Sequence, residues 1–221
     1  MESFHPGSIL VDVGCGNGKY FSLNNNRYEI GCDSSYNLMQ VCRQRGFECF
    51  TCNCLNIPLR DNIADGCISI AVIHHLATKE RRMKAIEEII RILKIGGKAL
   101  IYVWAKNQER QNQKSSYLKQ YNKKKEKEVA VEKILVEENV GLPVHTNRTN
   151  FHHSDLLVPW KLKPKDSKVS DISSEPPVFL RFYHVFEDNE IKEMCLGLDN
   201  VEIKDYYYDQ GNWCILLEKI K

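Results

Sequence analysis

The sequence has no run approaching the roughly 18 apolar residues that a membrane-spanning helix requires, so it offers no candidate for one. Its opening residues, Met1-Glu-Ser-Phe-His-Pro-Gly7, hold no apolar stretch and no basic segment ahead of one, and so predict no secretory leader. Net charge is also scarce, +2 over 221 residues. The overall balance therefore argues neither for nor against a nucleic-acid partner, and the distribution of charge matters more. No internal repeat is visible. Cysteine, by contrast, is plentiful: nine residues, an odd number. With no leader they read as the reduced thiols of an intracellular protein, expected in the cytoplasm with the nucleus as a second location. At 27% charged and 43% hydrophobic residues, the chain is expected to be soluble and globular, long enough for one core and a long insertion.

Short apolar runs recur along the first half. Ile9–Val13, Glu29–Asp33, Phe47–Cys52, Gly66–Ile73 and Lys98–Trp104 read as five strands, the fourth apolar enough to be covered on both faces. Between the second and third, Leu38, Val41, Cys42 and Arg45 mark one face of a helix that Gly46 stops. Between the fourth and fifth, Thr78 caps a helix carrying Met83, Ile86, Ile89, Ile90 and Leu93, with Gly96-Gly97 at its end. Alternating strands and helices predict a mostly parallel sheet with right-handed crossovers.

After Ala105 the character changes. Lys106–Lys133 holds nine Lys/Arg against four Asp/Glu, a local net of +5, with no capped apolar period. It reads as a long, partly mobile insertion, and its charge also suits RNA. Lys161–Pro177 is similarly polar. Glu190–Leu198 reads as a last helix, and Val201–Tyr207 with Asn212–Leu217 as a closing hairpin. The expected organisation is a nucleotide-binding core over 1–105, a basic and polar insertion with substrate-side patches over 106–177, and the C-terminal part of the same domain over 178–221.

The chemistry begins at the end of the first strand. Asp12-Val-Gly14-Cys15-Gly16-Asn17-Gly18 is a G-x-G-x-G turn behind an acidic residue, read as meeting a helix start whose free N–H groups favour an anion. The spacing differs from the dinucleotide G-x-G-x-x-G. An acidic residue at that place suits an ammonium group, and the methionine half of S-adenosylmethionine has both an ammonium and a carboxylate. Asp33, about twenty residues on, stands where a ribose-hydroxyl acceptor belongs. Asn53, after the third strand, faces the adenine edge in this reading; a plain turn asparagine fits as well. Cys49, Cys52 and Cys54 raise the thought of zinc, but alternation points Cys49 and Cys52 to opposite faces, and no metal site is assigned.

Several segments carry a specific resemblance. Val11–Tyr20, Ile68–His75, Ala99–Ala105, Leu157–Trp160, Arg181–Phe186 and Tyr208–Trp213 resemble the tRNA wobble-uridine carboxymethyl methyltransferases, and Val144–Thr149 is most similar to the form fused to an AlkB-type dioxygenase domain. The likeness covers nearly the whole chain outside the two polar segments. It implies a Rossmann-like α/β class I S-adenosylmethionine-dependent methyltransferase: a mostly parallel seven-stranded sheet with a long polar insertion after strand 5. It further implies methylation of the carboxylate of 5-carboxymethyluridine at the wobble position of the tRNA anticodon loop, a small zinc-containing activator subunit and an AlkB-type dioxygenase domain elsewhere; from the lack of a long apolar run, no membrane partner is expected. Two features depart from the family. Asn53 stands where it has a carboxylate, and only eight residues precede Ile9 where it has a helical segment.

A carboxylate acceptor is already ionised at neutral pH, so cations and hydrogen-bond donors matter more than a base. Beyond the carboxyl ends of the strands, the catalytic candidates are His74, His75, Arg181, Tyr183 and His184. The substrate-binding candidates are Trp104, Asn147, Arg148, Tyr208 and Asp209. Asp12, Gly14, Cys15, Gly16, Asn17, Gly18, Asp33 and Asn53 are the cofactor candidates. A small-molecule methyltransferase and a non-catalytic relative are the alternative readings. Structural readings stand beside these, with Trp104 and Trp160 as core and Arg181 as half of an ion pair.

Overall fold

In the computed structural model the described residues are 4–22, 26–119, 141–161 and 178–221. Seven strands form the central sheet: β1 (Ile9–Val13), β2 (Tyr28–Asp33), β3 (Glu48–Thr51), β4 (Ala64–Ile70), β5 (Leu93–Trp104), β10 (Val201–Asp209) and β11 (Asn212–Lys219). Their order is β10-β11-β5-β4-β1-β2-β3. β1 to β5 pair in parallel, while β11 runs antiparallel to both neighbours. This is the mostly parallel, seven-stranded arrangement that the family resemblance implies, and its first five strands are those read from the apolar runs.

Alternation assigns each strand's residues to two faces. Val11, Val13, Cys67, Ala99, Ile101, Val103, Ile215 and Leu217 point to one face and join a single core. The helix α2 (Lys79–Ile92) packs there through Ala85, Ile86, Ile89 and Ile90, all fully buried. Thr78 caps it, its side chain accepting from Arg81 N at 3.3 Å. The helix α4 (Glu190–Leu196) adds Ile191, Met194 and Cys195 to the same core. No helix joins β3 to β4; that connection is pinned to α2 instead. Glu88 accepts from Ile57 N at 2.8 Å, and Arg91 donates to the carbonyls of Ile57 and Leu59. The Arg91 hydrogen bond holds the buried Glu88 carboxyl down at about 2, so a charge that would be costly alone is paired.

The other face carries α1 (Tyr36–Gln44), beside β2 and β3. Ser35 caps it, and it ends as expected at Gly46, whose φ is +80°. The inward face shares only Cys42 with the expected one. Met39 and Cys42 are buried against Cys15, Cys49, Phe21 and Phe47, while Leu38 and Val41 are exposed. Successive helical residues are about 100° apart, so a reading displaced by one residue turns the face outward.

Two boundaries also move. α2 stops at Ile92, and Leu93 already pairs with Ala64; Lys98 resumes pairing at Gly66 after a four-residue excursion in which Gly96 has φ +79°. The glycines therefore lie within β5 rather than ending the helix.

The segment after β5 is more structured than a mobile polar insertion where it is described. β6 (Glu109–Arg110) and β7 (Gln113–Lys114) form a tight hairpin, followed by α3 (Ser116–Lys119). β8 (Asp155–Lys161) pairs antiparallel with β9 (Val178–His184) as a second sheet, with Val144 bridged to Leu157. That sheet is stitched to the carboxyl end of β5, where Phe186 N donates to Trp104 O at 2.8 Å. The most basic part of the +5 run and most of Lys161–Pro177 lie outside the described residues. No helix among the described residues is long and apolar enough to cross a membrane.

Candidate cofactor and acceptor site

The glycine turn leaves β1 without entering a helix: residues 14–20 form successive turns. The expected anion site at a helix start is therefore not what this loop offers. It is held from the side. Gly14 N and Cys15 N donate to Cys32 O at 2.7 and 3.0 Å, Gly16 N donates to Asp33 Oδ2 at 3.1 Å, and Cys42 Sγ donates to Gly16 O at 3.3 Å. Arg45 reaches Asn17 O. Two glycines have separate reasons. A Cβ on Gly14 would lie 2.2 Å from Val72 Cγ2, whereas one on Gly16 would meet nothing within 4 Å. Gly14 thus lets the β4 end close on the turn, and Gly16 leaves open space beside Asp33.

Asp33 spends one hydrogen bond on each oxygen, to Gly16 N and Ser35 N (2.8 Å). A carboxylate has about four lone-pair sites, so it retains capacity for hydroxyl donors. Asp12 is buried, and its Oδ2 has no hydrogen-bond partner. Burial, and then the charges of Asp33 and Glu29, push its carboxyl up to about 7. A buried acidic group repelled by two others is a site for a cation, and a ligand ammonium answers it. The orphaned oxygen, the open Gly16 and the spare acceptors of Asp33 fit an amino-acid–nucleoside ligand such as S-adenosylmethionine. Asn53 turns inward on its own loop: its Oδ1 accepts from Leu55 N at 3.0 Å, which is the turn-asparagine arrangement.

The acceptor side begins where β4 ends. Ala71 takes φ +62° while its N–H donates to Tyr102 O at 3.1 Å. A non-glycine residue there stores backbone strain of about 1–3 kcal/mol. The bend seats Val72 on Gly14 and starts the short 3-10 turn Ile73–His75. His74 is buried and stacks on Tyr183 (4.8 Å between centroids, 18°), with Trp104 at 5.5 Å. Burial, then the neighbouring His75 and His184, hold its imidazole neutral, far below the ordinary range. His75 Nδ1 lies 3.1 Å from Phe182 O. A carbonyl only accepts, so Nδ1 carries the proton and Nε2 remains an acceptor. Burial lowers the His75 pKa as well, and it raises that of the Tyr183 phenol. The rings continue beyond Trp104 to Tyr117 (5.2 Å), Phe151 (5.9 Å) and, from Phe151, His145 (4.3 Å).

His74, His75, Trp104 and Tyr183 are thus brought together. Tyr117, His145 and Phe151 complete the cluster and were missed; only the Val144–Thr149 patch hinted at one of them. Arg148 is beside it, its backbone N–H donating to Tyr117 Oη at 2.7 Å. Asn147 is turned to structural use, its Nδ2 donating to Pro159 O at 2.9 Å. Arg181 lies 4.2 Å over the Trp160 ring on the β8–β9 sheet, and it has no ion pair among the described residues. His184 has a different place from the expected one. Its two ring nitrogens are each 2.6 Å from a carboxylate, Asp155 and Glu190. Neither nitrogen is left for a substrate, so His184 fastens β8 and β9 to α4. Tyr208 and Asp209 end β10, two strands from Trp104, and Tyr208 Oη donates to Asn107 O at 3.0 Å. Among the described residues no group of three or more His, Cys, Asp or Glu could hold a metal.

Strand order, glycine turn, Asp33 and a side-chain cluster at the carboxyl edge together define the class I S-adenosylmethionine-dependent methyltransferase fold. A methyltransferase-domain family model matches residues 11–101. A methyltransferase described as S-adenosylmethionine-dependent from Clostridium acetobutylicum shares the fold at TM-score 0.61 and 11% identity, over 97% of this chain and 85% of that one. The tRNA (carboxymethyluridine(34)-5-O)-methyltransferase of Schizosaccharomyces pombe is 31% identical over 99% of this chain and 84% of its own length. That of Xenopus tropicalis is 49% identical over 100% of this chain, and that of Mus musculus 42% identical over 100%. The chain belongs to the tRNA (carboxymethyluridine(34)-5-O)-methyltransferase family. It spans 36% of the Xenopus protein and 40% of the mouse protein.

Proposed function

We propose that this chain transfers a methyl group from S-adenosylmethionine to the carboxylate of 5-carboxymethyluridine at the wobble position of tRNA, giving the methyl ester. The observation that carries this reading is the meeting of two half-sites on one sheet edge: Val72, seated on Gly14, is followed at once by the turn that places His74 and His75. S-adenosylmethionine supplies an electrophilic methyl on a sulfonium. Asp12 would take its ammonium and Asp33 its ribose hydroxyls. The aromatic cluster gives a splayed base a surface to stack on, and Arg148 and Arg181 supply positive charge for a carboxylate or phosphate. The acceptor carboxylate, with a pKa of about 4, needs no base at neutral pH. The neutral His74 and His75 are therefore suited to shaping and drying the site, and positioning is what the protein contributes.

Family likeness supports two further partners, a small zinc-containing activator subunit and a dioxygenase domain carried elsewhere. A wobble-tRNA substrate fits a cytoplasmic location, with the nucleus as the second. The test is transfer of labelled methyl to tRNA bearing 5-carboxymethyluridine, with and without the activator, followed by nucleoside digestion. Label in the wobble nucleoside is expected. Label in small molecules but not in tRNA would contradict the substrate, and no cofactor binding would favour a non-catalytic relative.

A further inference from the structure

The β8–β9 sheet has two unlike faces. Partnered residues of an antiparallel pair point the same way, and successive residues alternate. Leu156, Val158 and Trp160 therefore share a face with Tyr183, Arg181 and Phe179, their partners across the register. At one end of that face Leu156 and Val158 are buried with Tyr183, Trp104, Tyr117 and Phe151, so that end belongs to the acceptor cluster. The other end is open. Trp160, which the sequence suggested as core, is 38% exposed and Phe179 is 47% exposed. Arg181 is exposed as well.

These three side chains form one layer. The Arg181 guanidinium carbon lies 4.2 Å from the Trp160 ring centroid, and the Phe179 ring is 6.0 Å from that of Trp160. Arg181 stands between the two ends of the face. Burial raises the Tyr183 phenol, and the Arg181 charge and hydrogen bond oppose that rise. Burial lowers His75, and the Arg181 charge adds to it. At about 3.3 Å per residue, Arg181 is roughly 7 Å and Phe179 roughly 13 Å along β9 from Tyr183. That is within reach of a nucleotide next to one held at Tyr183. The two strands contain a single carboxylate, Asp155, which is paired with His184 and points to the opposite face. No acidic side chain on this face competes for Arg181. Exposed rings joined by a guanidinium offer flat surfaces on which any base can stack.

We propose that the layer of Trp160, Arg181 and Phe179 stacks a base of the substrate RNA adjacent to the methylated one. The inference rests on the RNA-substrate reading above and extends the acceptor cluster along the same sheet face. It makes Trp160 and Phe179 substrate-binding residues that hold the strand while the wobble base enters the cluster.

The test is a coupling measurement, made with the activator subunit present. Affinity for an anticodon stem-loop carrying 5-carboxymethyluridine is compared between wild type and Trp160→Ala. Each is measured on the intact stem-loop and on stem-loops lacking the base at either position flanking the wobble nucleotide. Removing the stacked base is expected to raise the wild-type Kd by about five- to a hundredfold, and Trp160→Ala should raise it by a similar factor. Made together, the two changes should cost little more than either alone. Phe179→Ala should couple to the same base, Trp160→Phe should recover most of the affinity, and S-adenosylmethionine affinity should stay unchanged in all three variants. Phe179→Ala carries the test if Trp160→Ala fails to fold. Independent, multiplying losses at both flanking positions would overturn the proposal. Loss of activator binding by Trp160→Ala, with no coupling to either base, would make the layer a protein contact and overturn it too. A wild-type protein that binds cofactor but neither binds nor methylates the stem-loop would overturn the substrate reading and the layer with it.

Discussion

The two faces of the central sheet are built from the same strands, yet they are finished differently. On one, α2 and α4 close over Val13, Ile101, Ile215 and Leu217, all fully buried. On the other, α1 covers β2 and β3, while Leu10, Ile68, Leu100 and Leu216 line a cavity of about 280 Å³ partly covered by Phe4, Tyr20 and Phe21. Among the described residues no helix lies over β1, β4 and β5 on that side. The first face holds the fold; the second holds Asp12 and borders the glycine turn. Stability and cofactor chemistry are thus assigned to opposite sides of the same strands, and substitutions should separate them.

The largest separation is expected in the core. Ile89→Ala on the α2 face should cost about 2–5 kcal/mol, whereas Leu216→Ala on the open face should cost roughly 1 kcal/mol or less, because less of it leaves water on folding. Urea unfolding of the two variants measures this, and equal losses would break the comparison. Acid should act next. Burial pushes His145 down to about 4 from 6.5. The unfolded chain takes up that proton as pH falls through 6.5, while the folded chain resists it. The contribution is therefore complete above pH 6.5 and is lost toward pH 4. His145→Gln should lose less stability than wild type over that window; parallel curves would remove His145 from the account.

On the cofactor side, Asp33→Ala should weaken S-adenosylmethionine binding by tenfold or more, by calorimetry. It should also cost about 1–3 kcal/mol, because Gly16 N and Ser35 N lose their acceptor. The smallest effect expected concerns Asp12. With its carboxyl at about 7, affinity for a cationic ligand should rise as pH goes from 6 to 8, by about tenfold at most for one ionising group. Asp12→Asn should flatten that rise. A rise that survives the substitution would place the ammonium elsewhere.

Much of this layout was legible because buried parallel strands are continuous apolar runs. β1, β2, β4 and the closing hairpin were found that way, and Thr78 and Gly46 punctuated their helices as capping chemistry dictates. Reading failed where a local signal had two meanings. A glycine turn after a strand usually opens a helix; here side-chain and backbone bonds to β2 and α1 hold it instead. His184 looked catalytic in its patch until Asp155 and Glu190, from β8 and α4, were seen to take both nitrogens. Tyr117, His145 and Phe151 come from segments without periodicity, so no pattern could bring them to Trp104.

The most direct test of a divided site on one edge is a cofactor titration of methyl transfer to 5-carboxymethyluridine tRNA by Asp33→Ala and His75→Ala. The account predicts that Asp33→Ala approaches wild-type turnover at high S-adenosylmethionine, while His75→Ala remains impaired at saturation with cofactor affinity intact. Recovery of both variants by added cofactor, or of neither, would contradict it.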